Sequence, residues 1–284
     1  MNIRIQLYGA AFATSILLAS CGNGDTEQAK RTTDSVKAKP LAPIELEAVG
    51  TSPEFPDAQL SIGSVKAVKQ GNDSAKVSFE FLVKNYELKM QTADTGSKLC
   101  NNSAKGQHIH FILDNQPYQA LYEPKNDVVL ANKSEHYLMA FLSRSYHESL
   151  KNKGAAIVYH FKIDEKGKLL KMDEPKTPMV FYSRPKGDYL GKDTANVLLD
   201  FYVWNCSLAA DGYKVKAQIT NNDIPGHEAT VTISDWKSNF IKNLGTGKSH
   251  VVLTLVDKDG KNVEGDNTTA ARNIQLAASE PLKK

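Results

Sequence analysis

The sequence lacks the features that mark several large classes of protein. Its 35 Lys and Arg residues nearly balance 32 Asp and Glu residues, and a net charge of +3 over 284 residues excludes a strongly basic nucleic-acid binder. It has 3 cysteines and no CxxC pair, which excludes zinc-ribbon and thioredoxin-type sites. It contains neither a Gly-x-Ser-x-Gly turn nor a P-loop, so we recognise no catalytic residues and do not expect an enzyme. A hydrophobic content of 41% is nevertheless enough for a folded core.

The first 20 residues have the character of an export signal. Arg4 is their only charged side chain, and an apolar stretch rich in small residues follows it. The stretch ends in Leu-Ala-Ser followed by Cys21, which resembles the lipobox of bacterial lipoproteins. The resemblance implies that residues 1–20 are a signal peptide and that Cys21 carries the lipid.

The residues after Cys21 indicate the location and a tether. Gly22 follows the cysteine, and this junction resembles those common in the Bacteroidota. The resemblance implies an outer-membrane or cell-surface protein, with the periplasmic face left open. Residues 21–56 are rich in Gly, Ser, Thr, Lys, Ala and Pro, which predicts a flexible tether between the lipid and the folded part.

Beyond residue 57, apolar and polar residues alternate as they do in half-buried β-strands. The clearest run extends from Val77 to Lys84, and Gly, Asn, Asp and Pro separate it from similar runs. No long stretch has convincing helical periodicity. We therefore predict an all-β chain.

An internal repeat predicts how the strands are organised. Phe81-Leu-Val-Lys-Asn matches Phe201-Tyr-Val-Trp-Asn. At the same offset, His108-Ile-His lies opposite Glu228-Ala-Thr, so the histidines belong to the first copy alone.

The repeat predicts two tandem antiparallel β-sandwiches, immunoglobulin-like in size. We place the first over residues 57–164 and the second over residues 178–278, with a polar linker over residues 165–177. A single jelly roll built from two related halves is the alternative.

Five of the seven histidines lie in the first copy. His108 and His110 alternate on one strand, so their imidazoles share a face and can converge on one metal ion. We expect His136 as the third ligand, with His147 as the alternative, and Asp114 as a ligand or an orienting carboxylate. These donors suit Cu or Zn, and a transition-metal site is one of two functions left open. A cupin-like metalloenzyme is less favoured, because the second cupin motif is absent.

Two longer motifs include these histidines. G-x-H-x-H-x-x-L-D-x-x-P-Y ends at Tyr118, and S-R-x-x-H-E-S-x-K-N-x-G-A begins at Ser143. Together they resemble an uncharacterised group of secreted bacterial domains over residues 75–163. The resemblance implies a small β-sandwich and names no activity.

The second motif places mixed charge on one loop between two predicted strands. Arg144, His147, Glu148 and Lys151 form a candidate binding loop, because sandwich domains commonly bind through such loops. A salt-bridge network that fixes the loop's shape is the alternative. The leading prediction is therefore a membrane-anchored envelope lipoprotein that binds a protein or glycan partner and no nucleic acid.

The two remaining cysteines form an even pair. An exported protein meets an oxidising compartment, so Cys100 and Cys206 are a candidate disulfide. Buried free thiols are the alternative.

Overall fold

The computed structural model describes residues 41–279. The predicted signal peptide, Cys21 with its predicted lipid and the first part of the predicted tether lie outside the described residues. Residues 41–279 form one compact unit. No helix within residues 41–279 is long and apolar enough to cross a bilayer.

The described residues are organised almost entirely as β-strands. In chain order the strands are β1 (Glu45–Ala48), β2 (Gln59–Gln70), β3 (Ser74–Lys84), β4 (His108–Leu113), β5 (Gln119–Leu121), β6 (Lys125–Ala131), β7 (Ser134–Ser143), β8 (Ala156–Ile163), β9 (Leu169–Lys171), β10 (Met179–Arg184), β11 (Gly187–Leu190), β12 (Val197–Trp204), β13 (Lys214–Asn221), β14 (Glu228–Ile233), β15 (Asn239–Lys242), β16 (Gly247–Val256) and β17 (Thr269–Ala277). The helical segments are one short helix, α1 (Thr95–Lys98), and two 3-10 turns at Lys153–Ala155 and Gly191–Thr194. The predicted all-β class is confirmed.

Strands β2 to β9 form the first sandwich. A three-stranded sheet, β2-β3-β6, faces a five-stranded sheet, β5-β4-β7-β8-β9. Alternate residues of both sheets point inward and are buried together, because successive side chains of a strand project to opposite faces. Phe79 illustrates the packing, since its ring meets those of Phe111 and Phe161 at centroid distances of 5.2 and 5.8 Å.

Strands β10 to β17 form the second sandwich, together with β1. The sheet β1-β15-β12-β10 faces the sheet β11-β17-β16-β13-β14, and the core lies between them. All pairings among the named strands are antiparallel except that of β11 with β17. The immunoglobulin-like sandwich architecture predicted from the repeat is thus observed.

Two of the predicted boundaries need correction. Residues 45–48 lie in the predicted flexible tether, but they form β1 and pair with β15 of the second sandwich. Ile44 and Val49 on either side are buried. Residues 169–171 lie in the predicted linker, but they form β9 and pair with β8. Both segments are short and partly polar, so their own sequence is a weak signal. The partner of β1 is distant in sequence, whereas β9 forms a hairpin with the preceding strand, β8.

The two sandwiches pack against each other through a second apolar layer. The outer face of the first five-stranded sheet meets the outer face of the second four-stranded sheet. The buried side chains of this layer are Ile112, Tyr118, Met139, Phe141 and Ala156 from the first sandwich, and Met179, Phe181 and Tyr202 from the second. The outer face of β4, which carries His108 and His110, is therefore an interior surface.

The strand order also corrects the repeat alignment. Strand β4 lies beside β7, and the strand that lies beside the corresponding β16 is β13, not β14. The position of β4 is thus occupied in the second sandwich by β13, which carries Lys214 and Lys216 on its half-buried face. Histidines still distinguish the first copy, but Glu228 and Thr230 are not their structural counterparts.

Candidate metal centre

Strand β4 brings two histidines together at the junction of the sandwiches. Ile109 and Phe111 point into the first core, so His108 and His110 project from the opposite face. Both histidines are 0% exposed. Their Nε2 atoms are 2.9 Å apart and their ring centroids are 4.8 Å apart.

The third histidine comes from the loop that follows β7. His147 is 6% exposed, and its Nδ1 lies 3.1 Å from Nε2 of His108. The backbone turns sharply here, since the amide of His147 donates to the carbonyl of Arg144 and His147 has a φ of 70°. Such left-handed backbone is uncommon outside glycine and often marks functional positions. One nitrogen from each of the three rings falls within 4.8 Å of the others.

Gly106 orients the imidazole ring of His108 through a hydrogen bond on the side away from the other histidines. Its carbonyl oxygen lies 2.8 Å from Nδ1 of His108. Gly106 has a φ of +82°, and a Cβ at this position would lie 2.5 Å from the carbonyl oxygens of both Lys89 and Met90. Only glycine fits this approach, so the carbonyl and the ring that it orients are held in place.

A β-bulge fixes the second ring. The pairing of β10 with β12 shifts register between Tyr182 and Arg184, which leaves Ser183 as the extra residue. Its Oγ lies 2.9 Å from Nδ1 of His110. The second sandwich thus orients a histidine of the first, as polar groups commonly do around metal-binding histidines.

The hydrogen-bond partners of the three rings limit where their protons can lie. The carbonyl of Gly106 only accepts, so Nδ1 of His108 carries the proton and Nε2 is a lone pair. His110 and His147 both direct a nitrogen at that single lone pair. At most one of them can donate to it, and Nδ1 of His147 can instead accept the hydroxyl of Tyr118. One nitrogen of each ring is nevertheless directed at the same small region, where neutral imidazoles could bind a cation.

The histidines are neutral at neutral pH. Burial lowers the pKa of His108 to about 4. Burial, together with the neighbouring rings and cations, lowers the pKa values of His110 and His147 well below the ordinary value. Neutral imidazole is the form that binds metal ions.

Cations and a tyrosine surround the cluster. Tyr118 is stacked on His110 at a centroid distance of 3.7 Å, and its Oη lies 3.2 Å from Nδ1 of His147. Nζ of Lys186 and Cζ of Arg184 lie 4.3 and 5.4 Å from the centre of the Tyr118 ring. Burial alone would lower the pKa of Arg184, but the phenols of Tyr189 and Tyr118 raise it overall, so this guanidinium stays charged.

The structure corrects the predicted ligand set. His136 and Asp114 do not join the cluster but pair with each other, Nδ1 to Oδ2 at 2.7 Å. Asp114 also accepts a hydrogen bond from the backbone amide of Tyr137, so its carboxylate connects the turn after β4 to β7. Since β7 is antiparallel to β4, its first residues lie beside the end of β4 farthest from His108. His136 is near that end, whereas His147 follows the other end of β7.

The charged residues of the candidate binding loop line a cleft of about 720 Å³. Each of them has a protein partner. Arg144 donates to the carbonyl of Pro53, and Glu148 accepts the hydroxyl of Ser52 at 2.6 Å. Nζ of Lys151 lies 2.9 Å from Oδ1 of Asp200 on β12. Such contacts favour the network that fixes the loop's shape, and ligand binding by these three residues stays a prediction.

The candidate disulfide is not formed. Cys100 is buried beside Tyr146 and Leu198, whereas Cys206 packs against the core of the second sandwich, and both thiols are free. Burial raises the pKa of Cys100 to about 12 and that of Cys206 to about 11. Both cysteines are therefore unreactive structural thiols.

Comparisons with known proteins are limited to distant structural similarity. No family model matches the chain, and no curated protein matches it significantly. The fibronectin(III)-like modules of Clostridium thermocellum CbhA are 11% identical, with 77% of this chain and 94% of that chain covered at a TM-score of 0.25. The two tandem V-type regions of VCBP3, a v-region-containing chitin binding protein, are 7% identical, with coverage of 77% and 98% at a TM-score of 0.24. Similarity at this level carries no functional argument.

Proposed function

We propose that this chain is a lipid-anchored envelope protein that binds a divalent transition-metal ion through His108, His110 and His147. The convergence of three buried nitrogens within 4.8 Å supports the proposal. Gly106 and Ser183 hold the far sides of two of the rings. This proposal takes the alternative that the sequence left open, a metal site, in place of the leading prediction of a protein or glycan partner.

The spacing of the nitrogens is close to that of a metal-bound set. Ligands at about 2.0–2.1 Å from a tetrahedral ion are separated from each other by about 3.3 Å. The nitrogens of His110 and His147 lie 2.9 and 3.1 Å from that of His108, and all three lie within 4.8 Å of one another. A side-chain movement that equalises the three separations would place them around one ion. Three imidazoles suit zinc or copper, and we expect one of these two.

Metal titration of the chelator-treated protein tests the proposal. We expect one tightly bound Zn²⁺ or Cu²⁺ per chain, measured by competition with a chromophoric chelator and by elemental analysis. His147→Ala should abolish this binding, because it removes a ligand. His136→Ala is the matched control, since it removes a buried histidine of the same sandwich that lies outside the cluster, and it should bind as the wild type does. Ser183→Ala should weaken binding about 10–100-fold, because His110 loses its orienting partner.

The result that would overturn the proposal is also clear. Wild-type protein that stays metal-free in a slight excess of both ions has no such site. Loss of binding in His136→Ala with retention in His147→Ala would assign the site to the other histidines.

The anchoring part of the proposal has a separate test. Cys21→Ser should release the protein from the membrane fraction, because the thioether that carries the lipid cannot form. Cys206→Ser removes a different cysteine and should leave the protein membrane-bound. Equal membrane retention of both variants would refute lipid attachment at Cys21.

A further inference from the structure

The cleft of about 720 Å³ is a second concave site, separate from the histidine cluster. Its walls include residues 48–56 before β2, residues 148–152 of the loop after β7, and residues 236–238 before β15. The three clustered histidines are not among the residues that line it. Pockets of about 300–1,000 Å³ between domains commonly bind small molecules, and this cleft lies where both sandwiches contribute a wall. Its volume therefore suits a small ligand.

The second sandwich contributes an aromatic surface to the cleft. Trp236 is half-buried, its Nε1 donates to the carbonyl of Phe201 at 3.1 Å, and its ring is perpendicular to that of Tyr202 at a centroid distance of 4.7 Å. Nζ of Lys151 lies 5.1 Å from the ring centre. Because Trp236 lines the cleft, the part of the indole that these groups leave uncovered faces into it. An indole held in this way offers a fixed apolar platform to a ligand.

The charges of the cleft disfavour an anionic ligand. Three basic side chains line it, and each is already paired with a carboxylate of the protein: Arg144 with Glu148, Lys151 with Asp200 and Lys237 with Asp235. Glu54 also lines the cleft, is exposed and forms no salt bridge within residues 41–279. A negatively charged ligand would therefore meet a free carboxylate and no free cation, which opposes electrostatic complementarity.

Two side chains that line the cleft keep a hydrogen-bond acceptor free. Oε2 of Glu148 accepts the hydroxyl of Ser52 at 2.6 Å and lies 3.4 Å from Arg144, which leaves Oε1 without a partner within residues 41–279. Nδ2 of Asn152 donates to the carbonyl of Ala58 at 3.0 Å, which leaves Oδ1 unpaired over the same range. A ligand that covered these oxygens without donating to them would leave them desolvated. The cleft therefore favours a ligand with several hydrogen-bond donors.

We propose that this cleft binds a neutral oligosaccharide. A sugar ring has a face of C–H groups, which suits the indole of Trp236, and hydroxyl donors, which suit the free oxygens of Glu148 and Asn152. The contacts that hold these side chains in the free protein reduce the ordering that binding requires. A glycan was among the partners that the sequence predicted. The inference goes beyond the metal site and does not depend on it.

Calorimetric titration with defined saccharides tests the proposal. The chelator-treated protein is titrated with maltotriose, cellotriose and triacetylchitotriose, which are neutral, and with trigalacturonate, which is acidic. We expect a neutral trisaccharide to bind at one site per chain and trigalacturonate not to bind. Trp236→Ala should weaken the binding about tenfold or more, because it removes an aromatic anchor. Trp204→Phe is the matched control and should bind as the wild type does, because Trp204 packs at the junction of the sandwiches outside the cleft.

Fluorescence quenching is a second measurement, which does not require Trp236→Ala to fold. In Trp204→Phe, Trp236 is the one remaining tryptophan, and bound saccharide should lower its quenching by acrylamide. The inference is wrong if none of the three neutral saccharides binds, if trigalacturonate binds as tightly as they do, or if saccharide leaves the quenching of Trp236 unchanged. Each of these results leaves the metal site intact, because chelator-treated protein is used, and a failed metal titration leaves this inference intact.

Discussion

Acid should destabilise the metal-free protein through the histidine cluster. The pKa of His108 is about 4 in the folded protein, against an ordinary value of 6.5. Between these two values the unfolded chain binds a proton that the folded protein excludes, so stability falls as the pH decreases through this window. Each pH unit of difference corresponds to about 1.36 kcal/mol, which gives a total loss of about 3 kcal/mol, complete near pH 4. About 2 kcal/mol of this is lost between neutral pH and about pH 5.

Denaturant unfolding in the presence of a chelator measures this effect. His108→Gln removes the titrating ring, so its loss of stability between neutral pH and about pH 5 should be smaller than that of the wild type by about 2 kcal/mol. His250→Gln is the control, because it also removes one histidine but leaves the three clustered rings in place. Equal losses in the wild type and His108→Gln would refute the argument that His108 is buried as the neutral form.

Three further predictions concern the supports of the site and the junction. Gly106→Ala should destabilise the protein by about 2–4 kcal/mol in denaturant unfolding, because the added Cβ meets two backbone oxygens. Gly71→Ala is the control: Gly71 also has a positive φ but has open space around it, so the change should cost about 1 kcal/mol. Equal effects of the two changes would contradict the predicted clash at Gly106. Asp200→Ala leaves the ammonium of Lys151 at the junction without its carboxylate, so the free energy of unfolding should fall by about 3–5 kcal/mol. A fall of less than about 1 kcal/mol would mean that water solvates the ion pair. The two described cysteines should react with a thiol reagent only after denaturation, and an increase in thiol count on reduction would show a disulfide after all.

Local sequence patterns could predict the strands but not what covers them. Alternation in β4 correctly placed His108 and His110 on one face, opposite Phe111. It could not show that this face is buried, because the covering layer comes from β10 and β12 of the other sandwich. The repeat matched Phe81 with Phe201, and both lie on interior strands of their sheets, β3 and β12. Its matching of β4 with β14 failed, since neighbours in a sheet are set by long-range pairing.

The third candidate ligand shows a similar limit. By sequence His136 was preferred and His147 was the alternative, and both lie near an end of the same strand. Only the register of β7 against β4 decides between them: Ser143 pairs with His108, so the loop after Ser143 is at the histidine end. The positive φ of His147 is likewise invisible in the sequence. The motif that begins at Ser143 was the one available signal, since it contains His147.

The pairing of β1 with β15 affects the order in which the chain can fold. Residues 45–48 are the first described strand to be synthesised, yet their partner, residues 239–242, is among the last. The edge of the second sandwich is therefore closed by a contact that spans almost the whole described chain, and contacts of such high sequence separation form slowly. Until then, β15 has a free edge that can pair with other chains. A fragment that starts at residue 57 would keep that edge permanently, so we expect it to aggregate even though both sets of later strands are complete.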